Sequence, residues 1–155
     1  MMNQGYVFAL IGRASDAVQM ITSGISAYQS TGSTLWMPSY LSYLSRAYAA
    51  VSQFDDAWCC IDEATTAIES TKEKWWEAEV YRTAGDIALM TSETVAAKAE
   101  TYLKRALLIA REQQAKSWER RAAMSMARLW RDRAKRWICS RRSMVGSRKA
   151  STRWT

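Results

Sequence analysis

The side chains best able to do chemistry are few. Cys59 and Cys60 are adjacent, and the third cysteine, Cys139, lies 79 positions beyond them. A thiolate attacks or binds metal only with a base, a cation or further ligands nearby. The chain has no histidine, which removes Ser-His-Asp and Cys-His arrangements, imidazole metal ligands and imidazole acid–base chemistry. Neighbouring cysteines rarely bridge each other and there is no CxxC, so reduced thiols in an intracellular protein are expected rather than a disulfide framework or a zinc site. The carboxylate pairs Asp55-Asp56 and Asp62-Glu63 fall near a helix start or on its exposed side, where they favour the helix dipole. The expectation is therefore a non-enzyme with no catalytic residue, no metal and no cofactor.

The elements that must position any site are helices. Proline occurs once and glycine six times in 155 residues, and 48% of the residues are hydrophobic. That composition suits long helices with short turns around one core, not a turn-rich β fold. No apolar run approaches the roughly 18 residues of a membrane span. The first residues also lack a basic stretch followed by an apolar one, so a cytoplasmic protein that neither enters a membrane nor is exported is expected.

Self-similarity organises the chain. Trp36, Trp76 and Trp118 recur at intervals of 40 and 42, and each is followed nine positions later by a small residue: Ser45, Gly85 and Ala127. Small pairs seven apart complete each unit: Ala17 and Gly24, Ala57 and Ala64, Ala99 and Ala106. Two helices of about 16–20 residues with short turns fill such a period, and small residues let paired helices approach closely. Leu41, Leu44, Ala47, Tyr48 and Val51, like Trp58, Ile61, Ala64 and Ile68, follow the three-four spacing of a helix face. Ser52, before Gln53-Phe54-Asp55, reads as a helix start. The repeat-equivalent tryptophans read as packing positions, with Trp58 and Trp130 on apolar stripes, which leaves Trp75 and Trp154 free to be exposed.

These positions resemble the tetratricopeptide repeat, in which a first helix carries a small residue and an aromatic and a second carries two alanines. Here they are Gly5 with Phe8, Gly12, Ala17 and Gly24; Ser45 with Tyr48, Phe54, Ala57 and Ala64; Gly85, Ala99 and Ala106; and Ala127 with Trp130. The units exceed the usual length of about 34 residues and lack the closing proline, as in the long-repeat variety attached to bacterial signal-transduction ATPases. The stretch from Trp75 to Asp132 resembles, more narrowly, the C-terminal repeat region of bacterial proteins that join a class III adenylate or guanylate cyclase domain to a predicted ATPase module. The resemblance covers residues 5–134. It implies an all-α fold, a right-handed α-α superhelix of about three and a half TPR-like hairpins over residues 1–136, and a scaffold role beside upstream ATPase or cyclase domains. No phosphate-binding loop or cyclase aspartate pair is present to carry their chemistry.

The net charge of +7 sits at one end. Residues 1–134 balance 15 basic against 15 acidic side chains, whereas residues 135–155 carry seven basic ones and no acid. The segment 137–155 reads as a basic, disordered tail. In a shifted frame, permitted codons for Trp137 to Thr155 encode DLLAPVYGWFTEGFDTLD, which is similar to the segment that follows the last repeat in that family; a frameshifted end is expected. The last repeat helix would then lack its partner, leaving part of the stripe Ala123, Met126, Ala127 and Trp130 uncovered and open to self-association. As an alternative function, the basic tail would make the chain a nucleic-acid-binding module.

The resemblance places the first helix of each hairpin on the inner face. The inward positions are then Arg46, Arg82, Asp86 and Arg128, joined one turn away by Glu79, Arg121 and Arg131. Arginines so placed can grip an acidic peptide or a carboxylate bidentately. The competing reading is a solvated helix face with pairs such as Arg82 and Asp86.

Overall fold

The single proline, Pro38, sits in the first turn of a helix, where its missing N–H has no intrahelical role. Nothing else in the sequence forbids helix for long. The structure, a computed structural model, describes the backbone of residues 2–91 and 93–150 and the side chains of residues 4–5, 7–9, 11–91, 98–139 and 141. Trp154 and the last five residues lie outside the described set. The helices are α1 (Met2–Leu10), α2 (Ala14–Gln29), α3 (Met37–Ala50), α4 (Phe54–Thr71), α5 (Glu77–Met90), α6 (Glu93–Glu112) and α7 (Lys116–Ala150), with a 3-10 turn at Lys74–Trp76. The protein is all-α, with no strand among the described residues. Each helix packs on the next, and α1 packs on α3, α3 on α5 and α5 on α7. The odd-numbered helices thus form one continuous row.

The even-numbered helices repeat one burial pattern. Ala57, Ile61, Ala64 and Ile68 of α4 are buried, as are Ala99, Leu103, Ala106 and Ala110 of α6, and Ala17, Ile21 and Gly24 of α2. In each helix a large buried residue stands between two small ones, and in α2 and α6 it is pressed into the preceding odd helix. A Cβ built on Gly5 would lie 2.6 Å from Ile21, and one built on Gly85 would lie 2.7 Å from Leu103. Gly85→Ala should therefore destabilise the protein by about 1–2 kcal/mol, because overpacking against a buried leucine outweighs the roughly 1 kcal/mol gained in helix propensity. Urea titration of Gly85→Ala, Leu103→Ala and the double variant checks this. A stabilised single variant, or strictly additive losses, would show that α5 and α6 do not meet at that point.

The turns also recur. Gly12 and Ser52 have φ of 85° and 64°, and the following residues, Arg13 and Gln53, each donate their N–H at 2.9 Å to a carbonyl five residues back, Phe8 and Tyr48. Gln114 and Ala115 repeat the arrangement onto Ala110. This left-handed closure satisfies the last carbonyls of a helix. Ser52 accordingly ends α3 and does not cap α4, whose N-cap is Gln53 with no side-chain bond.

Two further expectations differ from the structure. Of the repeated tryptophans, Trp76 is buried and Trp118 half-buried, but Trp36 is 45% exposed. Trp36 lies in the turn before α3 with its ring edge-on to Trp75, whereas Trp76, in the equivalent turn before α5, is enclosed by Tyr43, Trp75 and Trp118. Trp130, expected in an apolar stripe, is 57% exposed, since no described element covers that side of α7. Past residue 136, α7 continues as helix to Ala150. Helix needs only local hydrogen bonds and tolerable residues, and 134–145 contains neither glycine nor proline.

Candidate binding groove

The row of odd helices carries two adjoining clefts. One, of about 270 Å³, is lined by Arg46 of α3, Arg82 and Asp86 of α5, and Arg121, Met124 and Arg128 of α7. The other, of about 220 Å³, is lined by Ala9, Ala49, Ala50, Ile87 and Met90, and shares Arg46 and Asp86 with the first. Together they make a groove that is cationic at one end and apolar at the other. Of the seven residues expected to face inward, the structure brings Arg46, Arg82, Asp86, Arg121 and Arg128 to this surface. Glu79 lies beneath it, and Arg131 lies outside it, exposed beside Asp132.

Glu79 and Arg82 anchor the cationic end. Glu79 is 3% exposed and Arg82 5%. Arg82 donates to both Glu79 carboxylate oxygens, from Nε at 2.8 Å and from Nη2 at 2.7 Å, and also donates to Asp86. Arg121 reaches the same Glu79 from α7 at 2.7 Å, with its guanidinium over the Trp118 ring. Burial alone would push the Arg82 guanidinium down, but the hydrogen bonds and charge of Glu79, with Asp86 adding to them, raise it overall. Of the pair Arg82 and Asp86, Arg82 is turned out of water, where Arg121 and Ser125 of α7 meet Glu79 and Arg82, while Asp86 stays partly exposed. Arg82 is thus saturated by carboxylates. Arg128 is exposed at the rim and forms no ion pair with any described residue. A ligand carboxylate would meet Arg128 first.

The apolar end had no signal in the sequence. Ala49 and Ala50 close α3 beside Ala9, and their short side chains leave a hollow only because three odd helices come together there.

Cys59 and Cys60 are not activated. Glu63 stands 3.7 Å from the Cys59 sulfur and its charge pushes that thiol up. Cys60 is 7% exposed, and burial, followed by Glu63, pushes it up to about 12. A thiol so raised is mostly protonated at neutral pH and a poor nucleophile. Among the described residues no group of His, Cys, Asp and Glu is placed to hold a metal ion, and no helix is long and apolar enough to cross a membrane. Comparison of the chain with protein families, with curated proteins and with solved structures found no match.

Proposed function

We propose that the protein is a cytoplasmic, non-catalytic scaffold of TPR-like helical hairpins, wound as a right-handed α-α superhelix, that binds an acidic peptide segment across α3, α5 and α7. The observation that carries this is the shared wall of the two clefts: Arg46 and Asp86 join a cationic end to an apolar end. Such a groove suits a segment with a carboxylate and, a few residues along, an apolar side chain. Recurrence of the small residues, and of one burial pattern in α2, α4 and α6, supports the repeat reading. The resemblance from Trp75 to Asp132 supports a place in a bacterial cyclase and ATPase signalling protein, with those domains as partners.

The test is fluorescence anisotropy with a labelled Glu- and Leu-rich peptide. Arg128→Ala should weaken binding about tenfold, the loss of one charge-assisted hydrogen bond, and Met90→Asp should weaken it by putting a carboxylate into the apolar end. Binding that ignores both changes sinks the groove reading. Tighter capture of duplex DNA, with steep salt dependence that disappears when residues 136–155 are removed, would favour the nucleic-acid alternative instead.

A further inference from the structure

Each of the helix pairs α1–α2, α3–α4 and α5–α6 covers a small residue of its odd helix. Ile21 sits on Gly5, Leu103 sits on Gly85, and Ser45 is 0% exposed in α3 beneath α4. Ala127 stands 42 positions after Gly85, the interval that also separates Trp76 from Trp118, yet it is exposed, as are Ala123 and Trp130. The buried side of α7 is a different stripe, Ala122, Ser125, Met126 and Leu129. The exposed stripe continues along the same side as Ala134, Trp137 and Ile138, with Trp137 59% and Ile138 47% exposed. Its spacing of four, three, four and three residues is that of a seam made for another helix. Alanines at 123, 127 and 134 allow close approach, and two tryptophans supply the large contact area.

Charge on the page selects the occupant. Arg120, Arg131 and Lys135 are exposed along the edge of the seam. The acids of α7 are Glu119, held by Arg111 and Lys116, and Asp132, beside Arg131. A second α7 would set Arg120, Arg131 and Lys135 against like charges, and its two acids already stand beside cations of their own chain. The acidic helix of this chain, α4, exposes Asp55, Asp56, Asp62, Glu63 and Glu69, but its apolar residues are turned into the core and cannot fill a seam. A polyanion without an apolar face would neutralise the cations and leave Trp130 and Trp137 in water.

We propose that the exposed stripe Ala123, Ala127, Trp130, Ala134 and Trp137 of α7 is a docking site for an acidic amphipathic helix of another protein, laid on α7 as α6 is laid on α5. The surface is distinct from the groove, whose lining includes none of these five residues.

The experiment uses the full chain and two labelled synthetic helical peptides that share a Leu/Ala face, one flanked by Glu and the other by Lys. The Glu-flanked peptide should bind, and the Lys-flanked one should bind at least about tenfold more weakly. Trp130→Ala should weaken the Glu-flanked peptide about thirtyfold, the effect of an aromatic anchor at an interface. Ala127→Gln should block it without changing the thermal midpoint, since that position is already exposed. An excess of the Glu- and Leu-rich groove peptide should not displace it. Equal binding of the two peptides overturns the proposal. So does a dimer in sedimentation that dissociates on Trp130→Ala, or capture of phosphatidylserine vesicles or duplex DNA that Trp130→Ala abolishes while the Glu-flanked peptide fails to bind.

Discussion

Glu79→Ala is expected to destabilise the protein by about 3–5 kcal/mol, towards the lower end of that range, even though only one carboxylate is removed. Glu79 neutralises two arginines at once. Arg82, 5% exposed, takes both of its oxygens, and Arg121 takes one of them from a different helix. Truncation leaves the Arg82 guanidinium in the α5–α7 contact with Asp86, itself partly exposed, as its remaining carboxylate, and the Ser125 hydroxyl lies only at 3.5 Å. Desolvating a cation without adequate compensation is the dominant cost, and it exceeds the modest gain a surface pair would give. The control is the double variant Glu79→Leu with Arg82→Met. Removing both charges together and filling the space with apolar atoms should recover most of the loss, because a buried ion pair is worth little net against a hydrophobic replacement. Urea denaturation followed by circular dichroism measures both. A loss below about 1 kcal/mol for the single variant would mean that water reaches Arg82 and that α5 and α7 are not in close contact there.

Trp76→Ala is expected to cost a comparable amount, about 3–5 kcal/mol, as for other large aromatic truncations in a core. The ring is 8% exposed and lies edge-on to Trp118 at 4.8 Å, to Trp75 at 5.0 Å and to Tyr43 at 5.8 Å. Its indole N–H donates to the Ser42 hydroxyl at 2.9 Å. These partners belong to α3, to the turn before α5 and to α7. One side chain therefore ties successive hairpins together where stacking, and not chain connectivity, must do so. Trp76→Phe keeps most of the area and loses the hydrogen bond, so it should cost about 1 kcal/mol. In the alanine variant the urea transition should also broaden, because weakened contacts between neighbouring units lower the cooperativity of a stacked array. A sharp transition with a loss under about 1.5 kcal/mol would show that the hairpins are held together elsewhere.

Residue size and spacing were enough to read the helical hairpins. Alanine and glycine at 17 and 24, 57 and 64, and 99 and 106 mark helix faces that admit a neighbour closely, and all six are buried. A pattern of this kind is legible because it follows the helix's own period, which is local. That Arg46, Arg82, Asp86, Arg121 and Arg128 line one cleft follows from the same period, once a repeat supplies a common register. What the register could not supply was depth. Arg82 and Asp86 sit one turn apart on α5, as any solvated pair would, and only α7 lying across them makes Arg82 and Glu79 a buried anchor. Ser52 misled because its hydroxyl suits a helix start, whereas the turn needed a left-handed residue to close the helix before it.

The sequence by itself determined that the chain is helical, paired and repeated about every 40 residues, that it lacks imidazole chemistry, and that its excess of positive charge lies beyond residue 134. Those are properties of composition and local period. Only the tertiary structure decided which tryptophans are wet, which arginine is saturated, where three short alanines leave a hollow, and that Ala127 and Trp130 lie uncovered on α7. Each of these depends on what lies opposite a side chain, and burial is set by the neighbouring helix and not by the residue's own.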